Sequence, residues 1–223
     1  MSERIIAIDG PAGSGKTTTA REVAARLGFV HLDSGALYRA LTLAVLDHQV
    51  PLVGERIVAL ARSLPVRLVL AGRSFVPEVA GADVSEAIRS ERVTARVSEV
   101  AALAEVREWV NQQLRLAVGE AVEGVVVDGR DIGTVVFPEA PLKVYLTASE
   151  EERAQRRLSQ MGRRVDPEAV GRTSAELSRR DLMDSSRAVA PLKPAPDAVV
   201  LDTTGLTFGE QVERVLELAR KVF

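Results

Sequence analysis

Residues 10–17, Gly-Pro-Ala-Gly-Ser-Gly-Lys-Thr, match the pattern G-x-x-x-x-G-K-[ST] of a phosphate-binding loop. Its glycines permit a tight turn whose backbone N–H groups point at anionic oxygens, and a helix that begins at Lys16 adds its positive dipole end. We expect Lys16 to reach the β- and γ-phosphates of ATP, and the Thr17 hydroxyl to ligate Mg²⁺. The residues predicted to bind the donor phosphates are Gly10, Pro11, Ala12, Gly13, Ser14, Gly15, Lys16, Thr17 and Thr18.

A second anion site is predicted at residues 33–39, which follow the second predicted strand and open a helix. Ser34 at the helix start and Arg39 further along could bind the phosphate of an acceptor. The alternative is that Asp33 only caps the helix while Arg39 forms a surface ion pair.

A magnesium carboxylate is predicted at Asp128, which ends the apolar run of residues 125–127. This is the position of a Walker B aspartate, which holds Mg²⁺ directly or through water. Arg130 and Asp131 follow at once, so they are expected in the same cleft. The alternative is that these two charges belong to a solvated turn.

Five apolar runs are predicted to be the strands that position these groups, at residues 4–9, 29–32, 124–127, 142–146 and 198–201. Segments with helical periodicity, such as 16–28 and 36–46, alternate with them. Asp166 before Pro167, and Thr173 with Glu176, each predict a helix start. This alternation is typical of an α/β fold with a parallel sheet and ligands at the strands' carboxyl ends.

Two segments depart from this alternation. Residues 66–70 alternate in polarity, Gly72 offers a turn, and residues 75–79 return, which predicts a small antiparallel insertion at about 64–90. Residues 157–172 are polar, rich in arginine and interrupted by glycines, which is typical of a mobile segment.

The composition indicates one globular domain of 223 residues, with 46% hydrophobic and 27% charged residues. The net charge of −2 gives no general attraction to nucleic acid or to a membrane surface, and the absence of cysteine excludes disulfides and thiol catalysis. No apolar run approaches the ~20 residues that span a bilayer. We therefore expect a cytoplasmic location and no membrane or nucleic-acid partner.

Four motifs in this order, GPAGSGKT, LDSGALYR, DGRDIGTVVFP and SSRAVAPL, resemble the bacterial cytidylate kinase family of nucleoside monophosphate kinases. The likeness runs from the first strand to about Thr204. It implies a P-loop three-layer fold with a five-stranded parallel sheet, a small antiparallel insertion and a short lid. It also implies one monomeric kinase domain over residues 1–223, with an acceptor-binding segment at about 36–108, the insertion at 64–90 and the lid at 157–172.

The resemblance also assigns the acceptor's contacts in this chain. Ser34 is already predicted from its place at the helix start. The resemblance places Ser98, Arg107 and Asp131 at the base, Arg39, Arg130 and Arg187 at the phosphate, and Arg180 and Asp184 at the sugar. Cytosine chemistry agrees with this, because a carboxylate accepts from the exocyclic amine while arginine and serine donate to N3 and O2. Uracil has a carbonyl in place of that amine, so Asp131 would repel it.

The predicted catalytic residues are Lys16, Arg130, Arg153, Arg157 and Arg187. Arg153 and Arg157 lie four residues apart and would close over the phosphates. Alternatively they are helix-surface partners of nearby glutamates, and Arg163 or Arg164 could serve instead. A helix would place Arg180, Asp184 and Arg187 on one face, where a salt-bridge ladder is the alternative.

The sequence thus predicts transfer of a phosphoryl group from ATP to CMP or dCMP, with Mg²⁺. The nearest alternative is a related small-acceptor kinase of the UMP/CMP or shikimate type. A nucleotide-dependent switch without transferase activity is a further alternative, although the chain has no N-K-x-D guanine-reading motif. His31 and His48 are interpreted as structural, because no partner is predicted beside them.

Overall fold

The computed structural model describes residues 4–223. Eight strands are formed by residues Ile5–Asp9 (β1), Val30–Asp33 (β2), Val66–Ala71 (β3), Ser74–Val79 (β4), Ala82–Asp83 (β5), Val125–Gly129 (β6), Leu142–Thr147 (β7) and Val199–Asp202 (β8). Eight α-helices are formed by Lys16–Leu27 (α1), Ser34–Asp47 (α2), Gly54–Ser63 (α3), Glu91–Ala102 (α4), Ala104–Glu120 (α5), Glu150–Gln160 (α6), Pro167–Ser186 (α7) and Phe208–Ala219 (α8). A 3-10 turn covers Ala87–Arg89 and a π-helical turn covers Ile132–Val136.

The sheet has the strand order β3-β4-β2-β6-β1-β7-β8, with β5 paired to β4. The five predicted strands are β2, β6, β1, β7 and β8, and all of them run parallel to their neighbours. The predicted insertion is also present, as the antiparallel hairpin of β3 and β4. It is not a separate sheet, because β4 pairs with β2 at His31 and Ser74, so the sheet has eight strands instead of five.

Helices cover both faces of this sheet, which confirms the α/β class. Alternate residues of β1 point to opposite sides, so Ile5 and Ala7 join one core while Ile6 and Ile8 join the other. The larger core contains residues of α2, α3, α4 and α5, and the smaller one is formed with α1 and α8. The two cores hold the strand ends that carry the predicted site.

The region of the predicted lid contains the end of α6 and the beginning of α7. Asp166 caps α7, because its side chain accepts from the N–H of Ala169, and Pro167 is the first helical residue. Thr173 lies inside α7, so the helix start predicted there is wrong. Only residues 161–166 connect the two helices, and the division of the chain into core, acceptor segment and lid stays a prediction.

None of the helices within residues 4–223 has the length and apolar character needed to cross a bilayer.

Candidate active site

The carboxyl ends of β1, β2 and β6 meet at one edge of the sheet. Asp9 is paired with Gly129 and Asp33 with Asp128, so the predicted donor and acceptor segments begin side by side. A cavity of about 660 Å³ opens at this edge. It is lined by the phosphate loop on one side and by residues from α2, β4, α4, β6 and α7 on the other.

The phosphate loop turns where the sequence predicts it. Gly10, Gly13 and Gly15 have φ angles of 148°, 78° and 85°, which side chains rarely allow. A Cβ atom at Gly10 would lie 2.0 Å from the carbonyl oxygen of Leu146, so the loop also needs glycine for close approach to β7.

Lys16 lies at the start of α1 and is buried. Its Nζ donates to the carbonyl oxygen of Pro11 at 2.7 Å. Burial is the main cause that lowers the pKa of Lys16 to about 7, and the charge of Arg130 is the second. A bound phosphate would oppose both effects, so the ammonium group is placed to neutralise an anion.

Thr17 and Asp128 lie together as a metal site would require. The Thr17 hydroxyl donates to Asp128 Oδ2 at 2.6 Å, and His31 Nε2 lies 2.8 Å from Oδ1. Burial raises the pKa of Asp128, but the hydrogen bond and charge of His31, with the Thr17 hydrogen bond and the charge of Lys16, hold that pKa below its ordinary value. A hydroxyl and an ionised carboxylate are oxygen ligands that suit Mg²⁺.

These two ligands fit an ion that arrives with the nucleotide. Within residues 4–223 there is no group of three or more His, Cys, Asp and Glu side chains that could cage a metal. Mg²⁺ in phosphoryl-transfer sites takes one or two protein ligands and completes its shell with phosphate oxygens and water. The residues present therefore fit Mg²⁺ bound with ATP.

Asp131 is held between two arginines in the cleft. Its Oδ2 accepts from Arg107 Nη2 at 2.5 Å, and its Oδ1 lies 3.7 Å from Arg187 Nη2. The Arg107 guanidinium lies 5.4 Å from the centre of the Tyr38 ring. The Tyr38 hydroxyl and Arg107 Nε are buried without a hydrogen-bond partner in residues 4–223, so this end of the cleft has unused donors.

Asp184 joins two other predicted acceptor residues. Its Oδ2 accepts from Arg130 Nε at 3.0 Å, and its Oδ1 lies 3.6 Å from Arg187 Nη1. Arg187 follows the last residue of α7 in an extended conformation, so it is not part of the helical face that the spacing predicts. The turn nevertheless brings it back to both Asp184 and Asp131.

The cleft also carries arginines that repel one another. Burial is the main cause that lowers the pKa of Arg39 to about 10, and the charge of Arg180 is the second. Burial and the charge of Arg130 likewise lower the pKa of Arg180, while burial and the charge of Arg89 lower that of Arg157. Such a cluster is stabilised by an anion, which is what a phosphate site requires.

The family model described as cytidylate kinase matches residues 6–221. The chain belongs to the cytidylate kinase family.

Two relatives show how close this membership is. A cytidylate kinase from Stutzerimonas stutzeri (strain A1501) is 50% identical over 215 residues, covering 95% of this chain and 93% of its own. A cytidylate kinase from Shewanella loihica (strain ATCC BAA-1088 / PV-4) is 48% identical over 220 residues, covering 97% and 95%. The family resemblance inferred from the four motifs is therefore confirmed.

Among solved structures, an uncharacterized protein from Eubacterium ventriosum ATCC 27560 is similar in fold. It has a TM-score of 0.55 and 10% identity, and the match covers 98% of this chain and 99% of the other. This similarity concerns the fold alone.

Most residues that the sequence and the cytidylate kinase resemblance predict for the site do line the cleft. They are Ala12, Gly13, Gly15, Lys16, Thr17, Thr18, Ser34, Arg39, Ser98, Arg107, Asp128, Arg130, Asp131, Arg157, Arg180, Asp184 and Arg187. Three other residues of the loop do not line the cleft: Gly10, Pro11 and Ser14. The individual roles of all these residues stay predictions.

Arg153 is the predicted catalytic residue that the structure places outside the cleft lining. Its guanidinium is buried and donates to the carbonyl oxygen of Ala12 at 2.9 Å and to Asp181. Arg157, one turn later in α6, lines the cleft. Of the pair, Arg157 is therefore the one that lines the cleft, and its contact with a phosphate stays a prediction.

Sequence reasoning missed three residues in or next to this site. His31 contacts Asp128, although no partner is predicted beside it. Arg89 lines the cleft 3.9 Å from Asp33, within the insertion. Asp9 accepts from the N–H groups of Ile132 and Gly133 at 2.9 and 2.8 Å. Its place at the end of a strand, directly before the loop, was the one available signal.

Proposed function

We propose that this chain transfers the γ-phosphoryl group of ATP to CMP or dCMP, giving ADP and CDP or dCDP. The observation that carries the proposal is Asp131, held between Arg107 and Arg187 at the sheet edge that also bears the phosphate loop. Two relatives that are 50% and 48% identical to this chain, each named a cytidylate kinase, support the proposal.

The donor half is the phosphate loop. Its N–H groups and the start of α1 bind the phosphates of ATP, and Lys16 contacts the β- and γ-phosphates. When bound at Thr17 and Asp128, Mg²⁺ supplies charge neutralisation at the phosphate oxygens.

The acceptor half lies across the cleft. Asp131 accepts a hydrogen bond from the exocyclic amine of cytosine, and Arg107 with Ser98 donates to its acceptors. Arg39, Arg130 and Arg187 bind the acceptor phosphate, while Arg180 and Asp184 bind its sugar. Uracil presents a carbonyl oxygen in place of that amine, so UMP brings an acceptor against the Asp131 carboxylate and the hydrogen bond from the base is lost.

The transfer needs no covalent enzyme intermediate. An ionised oxygen of the acceptor phosphate forms a bond to the γ-phosphorus in line with the leaving group. The bond to the β,γ-bridging oxygen breaks, and ADP leaves with the electron pair. The acceptor oxygen is already deprotonated at neutral pH, so no general base is required.

The charged side chains of the cleft stabilise this step. Lys16, Arg130, Arg157 and Arg187 stabilise the charge that spreads over the transferring group. Movement of residues 157–172 over the phosphates would exclude water and suppress hydrolysis of ATP. The positioning of Arg157 at the cleft supports this role more directly than that of Arg153.

All of these groups belong to a single chain, so a monomer suffices for activity. ATP and CMP are small molecules of the cytoplasm, which is the location that we propose. The proposal involves no nucleic-acid polymer.

A panel of acceptors tests the function. The chain would be incubated with ATP, Mg²⁺ and one of CMP, dCMP, UMP, AMP or shikimate, while released ADP and phosphorylated acceptor are both measured. We expect ADP and CDP or dCDP in equal amounts with CMP and dCMP, and much slower turnover with the others. A faster reaction with shikimate or UMP, or ADP without a phosphorylated acceptor, would contradict the proposal.

A further inference from the structure

Helix α7 contacts both halves of the cleft. On it, Arg180 and Asp184 line the acceptor side. Between them, Asp181 reaches the donor side, where its Oδ1 accepts from the backbone N–H of Ala12 at 2.9 Å. Ala12 lies in the phosphate loop, 169 residues earlier in the chain. One helix therefore carries predicted acceptor contacts and a direct bond to the donor loop.

Arg153 closes this contact into a cycle. It donates to the carboxylate of Asp181, and its Nη1 also donates to the carbonyl oxygen of Ala12 at 2.9 Å. Both backbone groups of Ala12 are thus bound by the same ion pair. The Arg153 and Asp181 side chains are 7% and 17% exposed, so this pair is screened by solvent far less than a surface pair.

Packing around the cycle leaves little room for independent movement. Ala12, Ala154 and Leu177 form a small buried cluster between the loop, α6 and α7. A Cβ atom at Gly13 would lie 2.9 Å from the carbonyl oxygen of Arg153 and 3.2 Å from Leu177 Cδ1. A shift of α7 must therefore be transmitted to the loop, because close-packed groups do not deform separately.

We propose that Asp181 is a positioning residue that couples occupation of the acceptor site to the geometry of the donor loop. Acceptor binding at Arg180 and Asp184 holds α7 in place. Asp181, together with Arg153, transmits this restraint on α7 to the backbone of Ala12. Asp181 itself does not line the cleft, so it is expected to contact neither nucleotide. The inference rests on the proposed function, since it needs an acceptor bound at α7 and a donor bound at the loop.

Coupling of this kind is reciprocal, which makes it measurable. If the acceptor tightens binding of the donor, the donor must tighten binding of the acceptor by the same factor. The experiment measures the Kd of a non-hydrolysable ATP analogue with Mg²⁺, without and with saturating CMP, and the Kd of CMP in the converse pair. In the unmodified chain we expect a ratio of about 5-fold or more, equal in both directions.

Three variants separate coupling from stability. In Asp181→Ala we expect both ratios to fall to within about twofold of unity, because the contact that transmits the coupling is removed. Asp181→Asn keeps an acceptor for the Ala12 N–H but loses the charge that Arg153 contacts, so an intermediate ratio is expected. Glu168→Ala removes an exposed carboxylate of the same helix, paired only with Arg172 in the described contacts, and should keep the full ratio.

A full ratio in Asp181→Ala, or a ratio of one in the unmodified chain, overturns this proposal even if CMP is phosphorylated normally. If thermal unfolding shows that Asp181→Ala does not fold, Asp181→Asn decides in the same way. An unmodified chain that neither binds nor phosphorylates CMP instead overturns the proposed function, and this inference with it.

Discussion

Arg107 and Asp131 form an ion pair that is almost completely buried in the cleft, with side chains 2% and 5% exposed. Taking two charges out of water is costly, and their attraction offsets this cost only when the remaining donors and acceptors are also satisfied. Arg107 Nε and the neighbouring Tyr38 hydroxyl have no partner in the described part of the chain. The pair is therefore best explained as one side of a polar binding site that a ligand completes.

Replacement of Asp131 tests recognition of the base. In Asp131→Asn the amide can donate to the carbonyl of uracil, so the preference for CMP over UMP, measured as the ratio of kcat/KM values, should fall by about 100-fold or more. The KM for ATP should change little, because the phosphate loop is untouched.

Asp197→Asn is the matched control for Asp131→Asn, since Asp197 is exposed and pairs with Lys143 outside the cleft. It should keep the nucleotide preference. An unchanged preference in Asp131→Asn itself would show that Asp131 does not recognise the base.

Replacement of Lys16 tests the donor loop. In Lys16→Ala, kcat should fall by about 100- to 1000-fold, because a charge aimed at the transferring group is lost from a buried position. The melting temperature should not fall, since burial disfavours the ammonium group in the ligand-free protein and lowers its pKa to about 7. Lys193 is exposed, so Lys193→Ala is the matched control and should keep the full rate. A rate near that of the unmodified chain in Lys16→Ala would rule out the phosphate-loop assignment.

Replacement of Asp128 tests the metal site. Asp128→Asn keeps the shape but removes the charge next to Thr17, so the Mg²⁺ concentration for half-maximal activity should rise about tenfold or more. Removal of Mg²⁺ by a chelator should abolish activity in the unmodified chain. Asp202→Asn, at the exposed end of β8, should leave the Mg²⁺ titration unchanged. A titration curve that Asp128→Asn does not shift would place the metal elsewhere.

Asp9 predicts a pH dependence of stability. Burial raises its pKa from 3.8 to about 6. Because the folded pKa is the higher one, its contribution to the free energy of unfolding is present below pH 3.8 and is lost as the pH rises through 6. Relative to Asp9→Asn, the unmodified chain should therefore lose about 2 kcal/mol between pH 4 and pH 7.

Urea unfolding of both proteins across this pH range measures the difference. Asp202→Asn is the comparison variant. Hydrogen bonds from Thr204 lower the pKa of Asp202, so the pH trend of its stability difference should be opposite to that of Asp9→Asn. A difference between Asp9→Asn and the unmodified chain that does not change with pH would contradict the prediction.

The sequence by itself determined the features that depend on neighbours along the chain. The phosphate loop needs glycines and a lysine at fixed spacing, and the apolar runs with intervening helical patterns define the strands of a parallel sheet. The position of Asp128 at a strand end follows from the same local pattern. Four short motifs were enough to predict the family.

The tertiary structure decided which distant residues meet. His31 lies 97 residues from Asp128, and Asp181 lies 169 residues from Ala12, yet each pair is in hydrogen-bond contact. No local pattern contains these contacts, because they depend on the order of strands in the sheet and on the packing of α6 and α7 against the loop. The same packing turns Arg153 toward the loop backbone while Arg157 lines the cleft, although both are arginines on the same helix.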